Sequence, residues 1–147
     1  LQLSLHADYA CRVLIYLAVH GAELVAIEDI AEGFNISKNH LIKIVHRLGQ
    51  LGFIETVRGR GGGIRLGHAP EKVSIGQVVR QMEQPNFNLV ECFERETNTC
   101  AIVKYCGLKP HLFKAMGAFL NTLDQVTLAD VVVESGKLRK ELSRSTD

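Results

Sequence analysis

The chain has 147 residues, 46% apolar and 22% charged, with a formal net charge of +1. That is enough for one globular domain with an appended element, too little for two enzyme-sized domains, and too apolar for a disordered chain. No apolar run reaches the length of a membrane span, and no leader or lipidation pattern is present, so a cytoplasmic protein with no membrane partner is expected.

In chain order, Ala10, Val13, Leu14 and Leu17 recur at helical spacing before Gly21, which predicts a first helix over residues 5–20. Ile27, Ile30, Ala31 and Phe34 repeat the pattern in a short second helix that ends in a turn over residues 33–36. Ser37 is the expected N-cap of a third helix, with Leu41, Ile44, Val45 and Leu48 facing inward and Lys38, Asn39, Lys43, His46 and Arg47 outward. Residues 53–57 and 64–66 read as two strands of a hairpin with the Gly- and Arg-rich tip Arg58-Gly59-Arg60-Gly61-Gly62-Gly63. Ser74 caps a fourth helix running to Glu83, with Pro85 ending it.

Periodicity fails over residues 86–107, so something other than a hydrophobic core should order that stretch. A long helix follows, in which Leu112, Met116, Phe119, Leu123 and Val126 are spaced four, three, four and three, the seam of a two-stranded coiled coil. A short capped turn or helix is expected over residues 127–132, and the charged tail from Ser135 is expected to fray. The fold class is mainly α with a small β-hairpin: a winged helix-turn-helix over residues 1–84, a loop over 85–107, a long dimerisation helix with its C-terminal segment over 108–135, and a charged tail over 136–147.

Charge is segregated along the chain. Between Ser37 and Arg65 stand six bases, Lys38, Lys43, Arg47, Arg58, Arg60 and Arg65, against Glu55 alone, whereas residues 82–98 carry four glutamates against Arg95. Two short helices joined by a tight turn, the second polar and basic on its outer face, followed by a basic hairpin, suit double-stranded DNA. The third helix would enter the major groove with Ser37, Lys38, Asn39 and His40 nearest the bases and Lys43 alongside. Arg58 and Arg60 would reach an adjacent minor groove, with Gly62 allowing close backbone approach.

Of the four cysteines, Cys92, Cys100 and Cys106 cluster, with seven and five residues between them, while Cys11 stands apart. These gaps are too loose for paired zinc knuckles, and soft thiols on a loop suit an iron–sulfur cluster, with a buried or redox-active thiol set as the alternative. Three thiolates leave one position to fill, for which Asp8, Cys11 and His111 are the candidates. Asp8 precedes Arg12 by one helical turn, so an ordinary ion pair between them is also expected.

Residues 3–12, Ile36-Ser37-Lys38-Asn39-His40-Leu41, the wing from Val57 to Leu66, the three clustered cysteines and residues 126–130 together resemble the winged-helix iron–sulfur regulators, and most closely their nitric-oxide-sensing repressors. The resemblance covers nearly the whole chain. It implies a homodimer on operator DNA, with a cluster, 4Fe–4S in preference to 2Fe–2S, held by Cys92, Cys100 and Cys106 and by Asp8 from the partner subunit. It also implies that nitric oxide acts on the cluster and DNA is released; Asp8, once freed, is then expected to pair with Arg12 one helical turn away, which makes Arg12 part of the switch. Another branch of that family senses redox state or cluster supply through a 2Fe–2S centre and uses a histidine three residues after the third cysteine; Lys109 occupies that position here. No nucleophile and base pair, phosphate loop or hydrolase motif is present, which leaves a thiol redox protein as the remaining alternative and argues against an enzyme.

Overall fold

The first helix, α1 (Leu5–Val19), begins where the Ser4 hydroxyl accepts a hydrogen bond from the Ala7 N–H at 3.2 Å, and it ends at His20. The structure, a computed structural model, describes residues 1–83 and 87–144. Ala7, Ala10, Val13, Leu14 and Leu17 of α1 are buried, and α1 packs against five other helices and one strand of the hairpin. Fully burying a Leu or Val side chain contributes about 1.5–3 kcal/mol, so this stripe anchors the core.

The second helix, α2 (Ile27–Phe34), stops at Asn35, whose left-handed backbone (φ 53°) turns the chain sharply. Asn tolerates that conformation better than β-branched residues do, which is why the turn into α3 (Lys38–Gln50) is so short. Leu41, Ile44, Val45 and Leu48 of α3 are buried as their spacing predicts. Ser37 takes the N-cap position, but its side chain makes no capping hydrogen bond, contrary to expectation.

Strands β1 (Ile54–Val57) and β2 (Gly63–Leu66) pair antiparallel, with Glu55 opposite Arg65. Val25, in the loop before α2, adds a bridge to Ile64 through two hydrogen bonds of 2.8 and 2.9 Å, which ties the hairpin to the helix-turn-helix. A 3-10 turn over Pro70–Lys72 leads into α4 (Ile75–Glu83), as expected from Ser74; the Pro85 stop lies outside the described residues. The buried Glu83 carboxylate accepts the Ser4 N–H at 2.7 Å and so fastens the end of α4 to the start of α1.

The long helix is α5 (Leu108–Asp124), followed by α6 (Leu128–Val131) with a Thr127/Asp130 capping box. One finding adds to expectation and one differs from it. The seam residues Met116, Phe119 and Leu123 of α5, with Val126 just beyond it, pack on the chain's own core beside the buried Leu120, because α4 offers an apolar face to the same side. And the residues from Ser135 do not fray through Arg144: they form α7 (Ser135–Arg144), which folds back on α1 and α2, with Leu142 against the core and Arg139 paired with Glu23 at 3.1 Å. Such a helix carries little periodicity, because Leu142 is the one α7 side chain among the described residues that packs on the core.

The approach of α4 to α5 leaves no room for a side chain at Gly76, where a Cβ would lie 2.4 Å from the Asp124 nitrogen and 2.6 Å from its Cα. Arg80 locks the same crossing with bonds of 2.7 and 3.2 Å to the Asp124 carboxylate. Gly76→Ala gains about 1 kcal/mol of helix propensity but meets backbone that cannot yield, so a net loss of about 1–2 kcal/mol is expected in urea unfolding. Gly49→Ala in α3, whose nearest neighbour is 3.9 Å away, should instead stabilise by up to about 1 kcal/mol in the same measurement.

Candidate nucleic-acid interface and thiol site

The outer face of α3 is built by the burial of its inner one. With Leu41, Ile44, Val45 and Leu48 in the core, Lys38, Asn39, His40, Ile42, Lys43, His46 and Arg47 are all exposed. Lys38 is hydrogen-bonded to Glu28 of α2, and this contact holds the Glu28 carboxyl below its ordinary range. Both groups are well exposed, so the pair is a weak one that a phosphate can displace. Arg65 is similarly paired with Glu55 across the hairpin at 3.0 Å. No ion pair engages Lys43, Arg47, Arg58 or Arg60 among the described residues.

Arg58 and Arg60 project from the hairpin tip, both exposed. The tip depends on its glycines: Gly59 and Gly61 have positive φ, and a Cβ at Gly62 would fall 2.1 Å from the Val57 carbonyl oxygen. The tip is therefore a tight turn closed by the Gly62 N–H donating to the Gly59 carbonyl at 3.0 Å, stiffer than a flexible loop.

Asp8 and Arg12 form a two-bonded ion pair on α1, at 2.8 and 3.0 Å, each side chain about two-fifths exposed. Arg12 also lies over the rings of Tyr9 and Phe34, at 5.4 and 5.9 Å from their centroids, and Tyr9 meets the His40 ring edge-on at 6.1 Å. Residues around Asp8 thus touch both helices of the helix-turn-helix. The Tyr9 and Phe34 contacts were not anticipated, since aromatic residues at those positions read simply as core.

Cys92, Cys100 and Cys106 are brought together. They line one cavity of about 240 Å³ with Val90, Glu91, Ile102, Leu108, Lys109 and Leu112, and its inner surface is almost wholly apolar. Among the described residues no three His, Cys, Asp or Glu side chains stand close enough to share a single metal ion. What the three thiols share is a hollow, and soft donors spaced around an apolar hollow fit a multi-iron cluster better than a single hard cation. Asp8, Cys11 and the exposed His111 are not among the lining residues of the same chain. Cys11 is half-buried on α1, where burial and the Asp8 charge push its thiol up to about 11.

The loop around the cavity is held by pins that its composition conceals. Phe87 stacks on Phe119 at 6.4 Å and Phe93 meets Phe113 edge-on at 5.8 Å, fixing both sides of a short 3-10 turn over Glu91–Phe93 to α5. Glu91 accepts from the Thr99 N–H at 3.3 Å, and Asn98 accepts from the Cys100 N–H at 3.0 Å, which draws Cys92 and Cys100 toward each other.

The family described as "Rrf2: Iron-dependent Transcriptional regulator" matches residues 3–134. The chain is 52% identical over 144 residues to the HTH-type transcriptional regulator NsrR of Bacillus licheniformis, covering 97% of this chain and all of that one. It is 51% identical over 143 residues to the protein of the same name from Bacillus subtilis, covering 97% of each. Among solved structures, T. potens IscR superposes with a TM-score of 0.72 at 24% identity, covering 92% of this chain and 88% of that one, a likeness of fold. These relatives are transcriptional regulators and not enzymes, and no helix among the described residues is long and apolar enough to cross a membrane. A winged helix-turn-helix with a long helix behind it, matched over most of its length, places the chain in the Rrf2 family of transcriptional regulators.

Proposed function

We propose that this regulator is a homodimeric repressor that binds operator DNA, carries an iron–sulfur cluster, 4Fe–4S in preference to 2Fe–2S, and releases the operator in response to nitric oxide. The observation that carries this reading is the convergence of three thiols on one apolar cavity behind a winged helix-turn-helix. The relatives' name, NsrR, and the sequence resemblance both point the same way. Residues 1–84 would bind DNA, 85–107 hold the cluster and 108–135 pair the subunits.

Cys92, Cys100 and Cys106 would hold the cluster, and Asp8 of the partner subunit would complete it. When bound, the cluster supplies iron that takes up nitric oxide. Lys109 lines the cavity where the 2Fe–2S branch has its histidine, and an ammonium cannot ligate iron, which favours the first reading over the second. The apolar residues that the fold leaves uncovered near the cavity, Ile102, Tyr105, Leu108 and Phe113, supply the face for a second copy, a surface distinct from the coiled-coil seam read from sequence.

Asp8 has two alternative partners in this scheme: the cluster of the other subunit, or Arg12 of its own helix. When it returns to Arg12, the guanidinium is held against Phe34, and Tyr9 beside it bears on His40, so the change reaches both α2 and α3. A coupling of about 1–3 kcal/mol between the two sites is the usual allosteric size and is sufficient for derepression. At the DNA face, Ser37, Lys38, Asn39, His40 and Lys43 would occupy the major groove, and Arg58 and Arg60, positioned by Gly62, the adjacent minor groove.

Two outcomes check this reading, and a third checks the packing of α1. Protein purified without oxygen should lose a visible cluster spectrum and operator affinity together on titration with nitric oxide; colour that persists, or affinity that does not change, removes the sensing role while leaving the regulator. Arg60→Ala should reduce the slope of log K against log salt by about 1, weakening all sequences alike, when measured by fluorescence anisotropy. Cluster-free native protein should be alkylated at Cys11 at least about a hundredfold more slowly at pH 8 than an ordinary thiol of pKa near 8.5, because Cys11, raised to about 11, stays protonated. Fast labelling of Cys11 in peptide mapping would show instead that α1 opens.

A further inference from the structure

Ile42 sits where an apolar side chain has no role in the fold. It lies in the middle of α3, and the helix already buries Leu41, Ile44, Val45 and Leu48 on its other side. Its side chain is 44% exposed, does not belong to the hydrophobic core or to the partly buried groups packed on it, and is the one exposed large apolar residue between Leu5 and Ile102 among the described residues. One helical turn before it stand Lys38 and Asn39, one turn after it His46, and beside it Lys43, all exposed. A lone exposed isoleucine is unremarkable on most surfaces, but here it is centred on the face that the basic residues mark for nucleic acid.

In the major groove, base edges present hydrogen-bond donors and acceptors and one apolar group, the C5-methyl of thymine. Lys38, Asn39, Lys43 and His46 can address the polar groups or the phosphates. Ile42 cannot form a hydrogen bond with its side chain, and burying it against polar base edges would leave those edges unpaired.

We infer that Ile42 is a specificity-determining residue that selects a thymine at one position of each half-site by packing on its C5-methyl. This rests on α3 being the groove-reading helix. Enclosing a single methyl group corresponds to about a fourfold change in affinity per half-site. The residue confers discrimination; the surrounding cations confer most of the affinity.

The test uses the full-length protein purified without oxygen and duplexes that it enriches from a random-sequence pool. In each enriched duplex, the thymines are replaced singly by deoxyuridine, which removes only the methyl, and binding is followed by fluorescence anisotropy for the wild type, Ile42→Ala and Ile42→Val. The wild type should lose about fourfold at one thymine per half-site, Ile42→Ala should bind the thymine and uracil duplexes equally, and Ile42→Val should keep part of the difference. Circular dichroism melting of the three proteins should agree within a few degrees, since the side chain lies outside the core. The inference is overturned if no position is enriched for thymine, if no uracil substitution affects the wild type, or if Ile42→Ala retains the full discrimination. Failure to enrich any duplex would sink the DNA-binding reading itself, whereas the other three results leave it intact.

Discussion

Enclosure of α1 is the constraint on which the rest of the structure depends. Its stripe of Ala7, Ala10, Val13, Leu14 and Leu17 is shut in by helices from both ends of the chain and by the second strand of the wing. The small residues Ala7 and Ala10 let neighbouring backbones come near, while the larger ones fill the centre. Such a helix cannot move alone: close-packed interiors transmit displacement instead of absorbing it. The one polar stripe it leaves accessible carries Asp8 and Arg12, so a contact made at that stripe acts on an element joined to the whole DNA-binding unit. The bond between Ser4 and Glu83 ties the same helix to the segment that leads into the cysteine loop.

The electrostatics of the basic face follow from exposure. Lys38 and Arg65 are paired with Glu28 and Glu55, but exposed pairs of this kind contribute only about 0–1 kcal/mol. A polyanion offers more than that through each released counterion, so the pairs orient their cations without withholding them. The acidic residues of the cysteine loop, by contrast, are kept away from the basic stretch of sequence, and two are used internally, Glu91 on Thr99 and Glu94 on Asn88.

The cysteine loop is organised by few contacts: two aromatic pairs to α5 and a handful of exposed hydrogen bonds. Segments with so little buried surface sit at the low end of local stability. The apolar lining around the thiols offers them few competing polar groups. Cys11 is outside this arrangement, packed in α1 with its proton retained.

Much of the fold was legible in the sequence because it is written in local periodicity. The apolar stripes of α1, α2 and α3, the Gly-rich wing and the Ser74 start of α4 each depend on residues three or four apart, or on turn chemistry, and each is found where expected. The grouping of Cys92, Cys100 and Cys106 could be suspected from their closeness in sequence, but not the apolar hollow between them, which is made by Leu108 and Leu112 of another element. Tertiary packing alone decided the rest. A heptad-like run in α5 does not specify what lies beside it, and the tight crossing at Gly76 brings Met116, Phe119 and Leu123 into partial burial against the chain's own core. Likewise α7 has too little apolar periodicity to declare itself, and it is ordered by Leu142 docking beside Tyr16 and Gly33, residues more than a hundred positions away. Periodicity tells which residues seek burial; only the assembled chain determines what buries them.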